Sequence, residues 1–282
     1  MSRIGLLNPG AMGASIGAQL VAGDHDVLWW PQGRGQATSK RADQAGLRAS
    51  TVQDDWQSAD YIVSICPPDA AESVAQFVLD LEYRGTFVEA NAISPMRCIA
   101  LVNRLNAAGI RCLDASVIGG PVWPGQGPST STIACAGQGA EAFASLFESS
   151  GFDARVVSDH VGDASSLKMV FAALTKGSTA LIAEILHVAE QLGVRSELET
   201  LWGEKATTTR HQQVITNAAK AWRFAGEMDE ISETFAQVGA QSGFHQSAAH
   251  VFRRLQAHKD WTEAPDIAML LNSLAGASKA KN

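Results

Sequence analysis

The sequence predicts an α/β protein: an N-terminal doubly wound sheet followed by an all-α C-terminal domain. Three observations carry that prediction. Short β-rich apolar runs alternate with helix-like stretches up to about residue 160. A glycine-bearing turn at 8–13 separates the first run from the first helix. Beyond residue 160 the chain turns to long runs of helix formers, with Pro265 the one proline after Pro128. Strand–helix alternation implies parallel strands joined by right-handed crossovers. At 282 residues, and about 150 per domain, two domains are expected, 1–160 and 161–282.

In chain order the expected strands are 3–7, 26–30, 61–65, 86–89, 111–116 and 132–136, with a last one near 154–157. Helix-like segments at 12–22, 70–81 and 95–108 lie between several of them. The proline-free run from Gly162 to about Leu192 reads as one long interdomain helix that Gly193 stops. Along it Leu167, Val170, Phe171, Leu174, Leu181, Ile185, Val188, Ala189 and Leu192 recur mostly at three- and four-residue spacings. That stripe is broad enough to be buried over most of the helix. Trp202, Trp222 and Trp261, with Phe224, Phe235, Phe244 and Phe252, supply an aromatic set for a helical core. The tail from Ala275, rich in small and polar residues, is expected to fray.

Composition narrows the function classes. With 46% hydrophobic and 18% charged residues, the chain can bury a sizeable core without disulfide staples. A net charge of −7 disfavours nucleic acid as the main partner. The N-terminus runs straight into a short apolar strand, too brief for a signal peptide, and no stretch of about 18 uncharged apolar residues is evident. A cytoplasmic protein without a membrane span is expected. Cys66, Cys98, Cys112 and Cys135 follow no zinc-ribbon or redox spacing, and His245 and His250 fall on different helix faces, so reduced thiols and no metal are expected.

The turn Asn8-Pro9-Gly10-Ala11-Met12-Gly13 has the layout of a Rossmann dinucleotide-binding βα turn. Such a turn brings backbone close to a pyrophosphate and aims a helix N-terminus at its charge. In GxGxxG terms the first glycine is Asn8, a residue that tolerates left-handed backbone, so the bend is expected to survive. NAD-preferring sites place an acid at the end of the second strand, yet none occurs from 27 to 38. Arg34 stands there in a glycine-rich loop, with Lys40 and Arg41 beyond it. A guanidinium pairs with a 2′-phosphate in fork geometry, so NADP(H) is favoured over NAD(H).

The turn resembles the GLGxMG turn of β-hydroxyacid dehydrogenases, the group of 6-phosphogluconate and 3-hydroxyisobutyrate dehydrogenases, which imine reductases share. Asp114-Ala115-Ser116-Val117-Ile118-Gly119-Gly120-Pro121 is similar to the substrate segment DAPVSGG of that group. Gly162-Asp163-Ala164-Ser165-Ser166-Leu167-Lys168 is similar to GxGxxxK, which opens the interdomain helix and carries the catalytic lysine. The resemblance covers about 1–195, and the remainder looks like the helical domain of a less characterised branch. It implies a homodimer whose helical domains pack together. It also places Cys66, Pro67, Pro68 and Asn91 with the cofactor, and Ile118, Gly119 and Gly120 with the substrate. Trp123 adds aromatic surface near that loop, and Ser116, two residues before Ile118 on the same strand face, is a candidate substrate contact by strand geometry.

The departures bear on the substrate. Ile118 replaces the serine of the substrate segment, Phe171 and Ala172 replace two asparagines after the lysine, and Asn91-Ala92 replaces a Ser-Thr pair. A small charged hydroxy acid held by those polar groups is therefore disfavoured. Lys168 is the candidate general acid/base: its ammonium would protonate a developing alkoxide, and its neutral amine would accept the alcohol proton in reverse. Lys176, about two turns on along nearly the same face, is a candidate neighbouring cation that would favour the neutral amine. The leading reading is an NADPH-dependent carbonyl or β-hydroxyacid oxidoreductase. Imine reduction is the alternative, and a catalytically silent NADP(H) sensor the third. Lys168 argues for carbonyl chemistry.

Overall fold

The computed structural model describes residues 1–127, 129–259 and 265–276. Trp261 and the residues beyond 276 lie outside that set. The chain divides into two units, Met1–Met169 and Val170–Asn282.

The first unit holds eight strands: β1 Arg3–Leu6, β2 Asp26–Trp29, β3 Arg48–Ala49, β4 Tyr61–Ser64, β5 Thr86–Glu89, β6 Arg111–Ile118, β7 Thr132–Ala136 and β8 Asp153–Ser158. They form one sheet in the order β3-β2-β1-β4-β5-β6-β7-β8. The order reverses between β1 and β4, the crevice at which doubly wound sheets take ligands. Helices α1 Ala11–Ala22, α2 Gln36–Gln44, α3 Gln53–Gln57, α4 Ala71–Asp80, α5 Pro95–Ala107 and α6 Ala140–Ser145 connect most strands. Both sheet faces are apolar, as the two-residue period of a strand covered on both sides requires. Ile4, Leu6, Val88 and Leu113 belong to one cluster, Ile62, Phe87 and Cys112 to the other.

Two features differ from the expectation. The two-residue β3 is too short to leave a hydrophobic pattern. The pair β6–β7 is antiparallel, with Asp114 opposite Ala136 and Ile118 opposite Thr132. A parallel return needs a crossover, usually a helix, and the link between them, with Gly119, Gly120, Pro121, Pro124, Gly125 and Gly127, builds none. All four cysteines are free thiols, three of them buried.

Helix α7, Asp163–Gln191, crosses the division between the units. Its first residues group with the sheet: Ala164 packs with Ala134 and Ala136. The division between the compact units thus lies within α7, after Met169. The second unit adds α8 Arg195–Trp202, α9 Glu204–Ala218, α10 Ala221–Gln237, α11 Gly243–Leu255 and α12 Ile267–Gly276. Phe224 and Phe252 meet edge to face at 5.4 Å in its core, whereas Trp222 and Phe244 are exposed.

The large apolar stripe on α7 is not buried. Leu167, Val170, Phe171, Leu174, Leu181, Ile185, Val188 and Leu192 are 37–74% exposed, and of the predicted stripe only Ala189 is buried. The face that packs is the small one, Ala172, Ala173, Ala180, Ala183 and Leu186. Alanines let neighbouring helices approach closely, so the core took the narrow face and left the wide one outside. By length and composition α7 is apolar enough to cross a membrane, although Lys168, Lys176 and Glu184 interrupt it and leave no uncharged stretch of about 18 residues.

Candidate active site

At the end of β1 the chain bends through Asn8 and Pro9, with Gly10 N–H donating to the Asn8 carbonyl at 2.8 Å. Gly10 begins α1 with φ −66°, and Asn8 is not among the residues with positive φ. The bend therefore needs no left-handed residue, contrary to the reason for which Asn8 was expected to substitute for glycine. Gly13 is indispensable for another cause: a Cβ there would lie 2.3 Å from the Asn8 carbonyl oxygen. A Cβ on Gly10 would meet nothing within 4 Å. That open space lies before the uncapped first turn formed by Ala11, Met12 and Gly13, which holds no acid. Its N–H groups lack intrahelical acceptors and fit a pyrophosphate.

Two guanidiniums border the turn. Arg34 donates to the Leu7 carbonyl at 3.3 Å, and Arg41 donates to the Pro9 carbonyl at 3.3 Å. Leu7, Trp30, Gln32, Arg34, Val74 and Phe77 line a cavity of about 250 Å³. Trp30 meets Phe77 edge to face at 4.9 Å, which fixes one apolar wall. The cavity wall combines aromatic and aliphatic side chains with the Arg34 guanidinium.

The loops after β4 and β5 are joined beneath the surface. Asn91 is buried; its Oδ1 accepts from Cys66 N–H at 2.6 Å, and its Nδ2 donates to Ser64 Oγ at 3.0 Å. Asn91 thus shapes the Cys66-Pro67-Pro68 loop, in which Pro67 is exposed and Pro68 buried. Burial, then the Glu89 charge, pushes the Cys66 thiol up to about 12, so it stays protonated. Glu89 is wholly buried, with Oε1 accepting from Asn91 N–H at 2.9 Å and Oε2 unpartnered among the described residues. Burial pushes its carboxyl up to about 8.

The segment Asp114–Pro121 leaves β6 at Ile118, which is half-buried, and continues through exposed Gly119 and Gly120. Gly119 has φ +120°, and a Cβ on it would be 2.4 Å from Ser131 Oγ. Ser131 Oγ accepts from Gly120 N–H at 2.9 Å and donates to the Gly120 carbonyl at 2.8 Å. Helix α1 grips Val122: its N–H donates to Ser15 Oγ, and its carbonyl accepts from Gln19 Nε2, both at 3.2 Å. The helix that begins at the cofactor turn therefore holds the segment that leads to half-buried Trp123. Ser116 shares the Ile118 face of β6, but it is wholly buried and its hydroxyl is unpartnered among the described residues. No open surface reaches it.

The other two motifs meet at one carboxylate. Asp114 Oδ2 accepts from Gly162 N–H at 3.0 Å and Ser165 N–H at 2.9 Å, and Oδ1 accepts from Ser165 Oγ–H at 2.8 Å. Burial raises the Asp114 carboxyl, and these donors oppose the shift. Half-buried Lys168 lies one turn beyond Ser165. Lys176, by contrast, donates to the Glu227 carboxylate of α10 and stands 5.1 Å over the Phe224 ring. A lysine paired in this way is not the unneutralised neighbouring cation that the sequence reading assigned. Sequence reasoning missed Asp114, Ser131, Ser15 and Gln19, whose partners lie far along the chain, and Glu89, whose partner Asn91 is local. For Glu89 a signal existed: strand alternation puts it on the face of buried Phe87.

A switch-point crevice, an uncapped glycine turn and an adjoining cavity define an NAD(P)-binding oxidoreductase fold. Residues 3–162, more than half of the chain, match the NAD binding domain of 6-phosphogluconate dehydrogenase, and the chain belongs to that family. Residues 183–255 match a domain of unknown function, DUF1932. An uncharacterized 28.5 kDa protein of Methanothermus fervidus is 24% identical over 240 residues, covering 82% of this chain and 90% of that protein. The fold is similar to 3-hydroxyisobutyrate dehydrogenase of Mycobacterium tuberculosis with L-serine, at TM-score 0.67 and 19% identity over 97% of this chain and 99% of that one. It is also similar to an imine reductase of Myxococcus stipitatus in complex with NADP+, at TM-score 0.57 and 19% identity over 96% and 99%. A variant of an imine reductase from the same organism is in complex with NAD+.

Proposed function

We propose that this protein is an NADP(H)-dependent oxidoreductase of carbonyl compounds or β-hydroxyacid-like alcohols, with Lys168 as general acid/base. The observation that carries the reading is the meeting of both family segments at Asp114, which ties the start of the lysine helix to the strand that feeds Gly119 and Gly120. When bound, the nicotinamide cofactor supplies or accepts the hydride. The chain's own residues do the rest. The first turn of α1 binds the pyrophosphate, Arg34 with Arg41 reads the 2′-phosphate, and the Trp30–Phe77 wall takes the adenine. Ser131 and Val122 hold the substrate segment in one shape. The Lys168 ammonium gives its proton to the oxygen on which charge develops during carbonyl reduction, and its amine takes that proton back in the oxidation.

Ile118, Phe171 and Ala172 leave the substrate region poor in carboxylate-binding groups, which favours a less polar substrate. The same residues favour imine reduction as the second reading. The exposed α7 stripe supports a homodimer through the helical unit, because monomers rarely expose so long an apolar row. Oxidation of NADPH by a panel of ketones, aldehydes and cyclic imines, and reduction of NADP+ by 3-hydroxy acids, tests the assignment. Turnover of ketones or 3-hydroxy acids supports it. Turnover of cyclic imines alone replaces it with the second reading, and cofactor binding without any turnover leaves a sensor.

A further inference from the structure

A helix N-terminus is ordinarily capped by Ser, Thr, Asp or Asn immediately before it. Before α7 the chain offers Gly162, which has no side chain, and the acceptor comes instead from the middle of β6. The carboxylate of Asp114 takes both backbone N–H groups and the Ser165 hydroxyl. Asp114 is 0% exposed and Ser165 1%. Burying a carboxylate this far is costly, whereas a local serine would satisfy the same amides at the surface. Satisfying the helix end is thus no reason for the arrangement; location is what it adds. Ser165 and Lys168 are neighbours along one helix face, and four residues beyond Asp114 the same strand ends in Ile118.

Burial raises the Asp114 carboxyl, and the donors around it oppose that shift more fully than those on its neighbour do. Glu89 is its register partner on β5. Among the described residues only Asn91 donates to its carboxyl, whereas Gly162, Ser165 and Cys98 donate to Asp114, and two carboxylates this close cannot both ionise readily. Cys98 of α5 adjoins the Asp114 carboxylate and Cys135 of β7 lies close to it, and burial keeps both thiols protonated.

We propose that Asp114 is a positioning residue: its carboxylate, by holding Gly162 and Ser165, sets where Lys168 stands relative to the Gly119–Gly120 segment of its own strand. This rests on Lys168 being the acid/base, and the test separates the two claims. The full-length protein is reductively methylated with 13C-formaldehyde, which gives each lysine its own dimethylamine signal. The Lys168 signal is assigned by its loss in Lys168→Met. In Asp114→Ala that signal moves or broadens while the other lysine signals hold still. In Asp114→Asn, whose amide oxygen still accepts from the two backbone N–H groups, it returns most of the way. Ser165→Ala keeps the carboxylate and both amide bonds, so it serves if Asp114→Ala does not fold, with a smaller shift in the same direction. With 2,2,2-trifluoroacetophenone, an activated ketone without a carboxylate, any turnover falls at least about tenfold in Asp114→Ala, as misplacement of an acid/base predicts. KM and NADPH affinity change less than about threefold. A Lys168 signal unmoved in folded Asp114→Ala or, where that variant does not fold, in Ser165→Ala, or all lysine signals moving together, overturns the proposal. A moved signal with undiminished turnover in Lys168→Met would instead remove the acid/base role and leave the positioning bond standing.

Discussion

At the scale of single residues, Arg34 and Glu89 give the most specific tests. Arg34 borders both the Leu7 carbonyl and the Trp30–Phe77 cavity. Arg34→Ala is expected to weaken NADPH binding by roughly tenfold or more, the share of a charge-assisted contact, with little effect on NADH; equal losses for both, measured by fluorescence titration, would deny it the 2′-phosphate. Glu89 bears on stability. Its carboxyl is pushed from 4.5 to about 8 by burial, so the folded state holds a proton that the unfolded chain releases. Stability is then full below about pH 4.5 and is lost as pH rises through about 8, by at most about 1.4 kcal/mol per pH unit. Glu89→Gln removes that slope, so its stability relative to the parent should grow between pH 5 and 8 in urea melts and level off above. Parallel curves would place an ionised carboxylate in the core. The place of Arg34 beside the turn was legible because it follows from local spacing after β2. Asp114 was not, since its donors lie some fifty residues further along the chain.

At the scale of elements, β1, α1 and the turn between them were readable because each is a short-range pattern: an apolar run, a glycine at a close approach, an amphipathic continuation. The antiparallel β6–β7 pair was hidden, as direction depends on a linker whose glycines and prolines forbid a helix without saying where the chain goes. Helix α7 was found in length but inverted in orientation. Periodicity located its wide apolar face, and the assumption that large residues seek the core of the same chain put that face inside. The exposed row from Leu167 to Leu192 predicts a dimer in sedimentation velocity runs. Leu174→Glu with Leu181→Glu is expected to convert it to a folded monomer, both side chains being outside the monomer core; a monomeric parent would contradict this use of the face.

At the scale of the whole molecule, the sheet unit carries the cofactor turn, the substrate segment and the lysine, and the helical unit carries the apolar face and the Lys176–Glu227 pair. The sequence reading put the lysine with the helical domain, 161–282, whereas Lys168 groups with the sheet unit. The central claim is that Lys168 moves the proton. The most direct test is turnover of Lys168→Met with the best panel substrate under conditions where a deuterated NADPH shows that hydride transfer limits the rate. Turnover is predicted to drop by roughly 10²–10⁴, the usual share of general acid–base catalysis, with NADPH affinity retained. Full turnover of Lys168→Met would contradict the account.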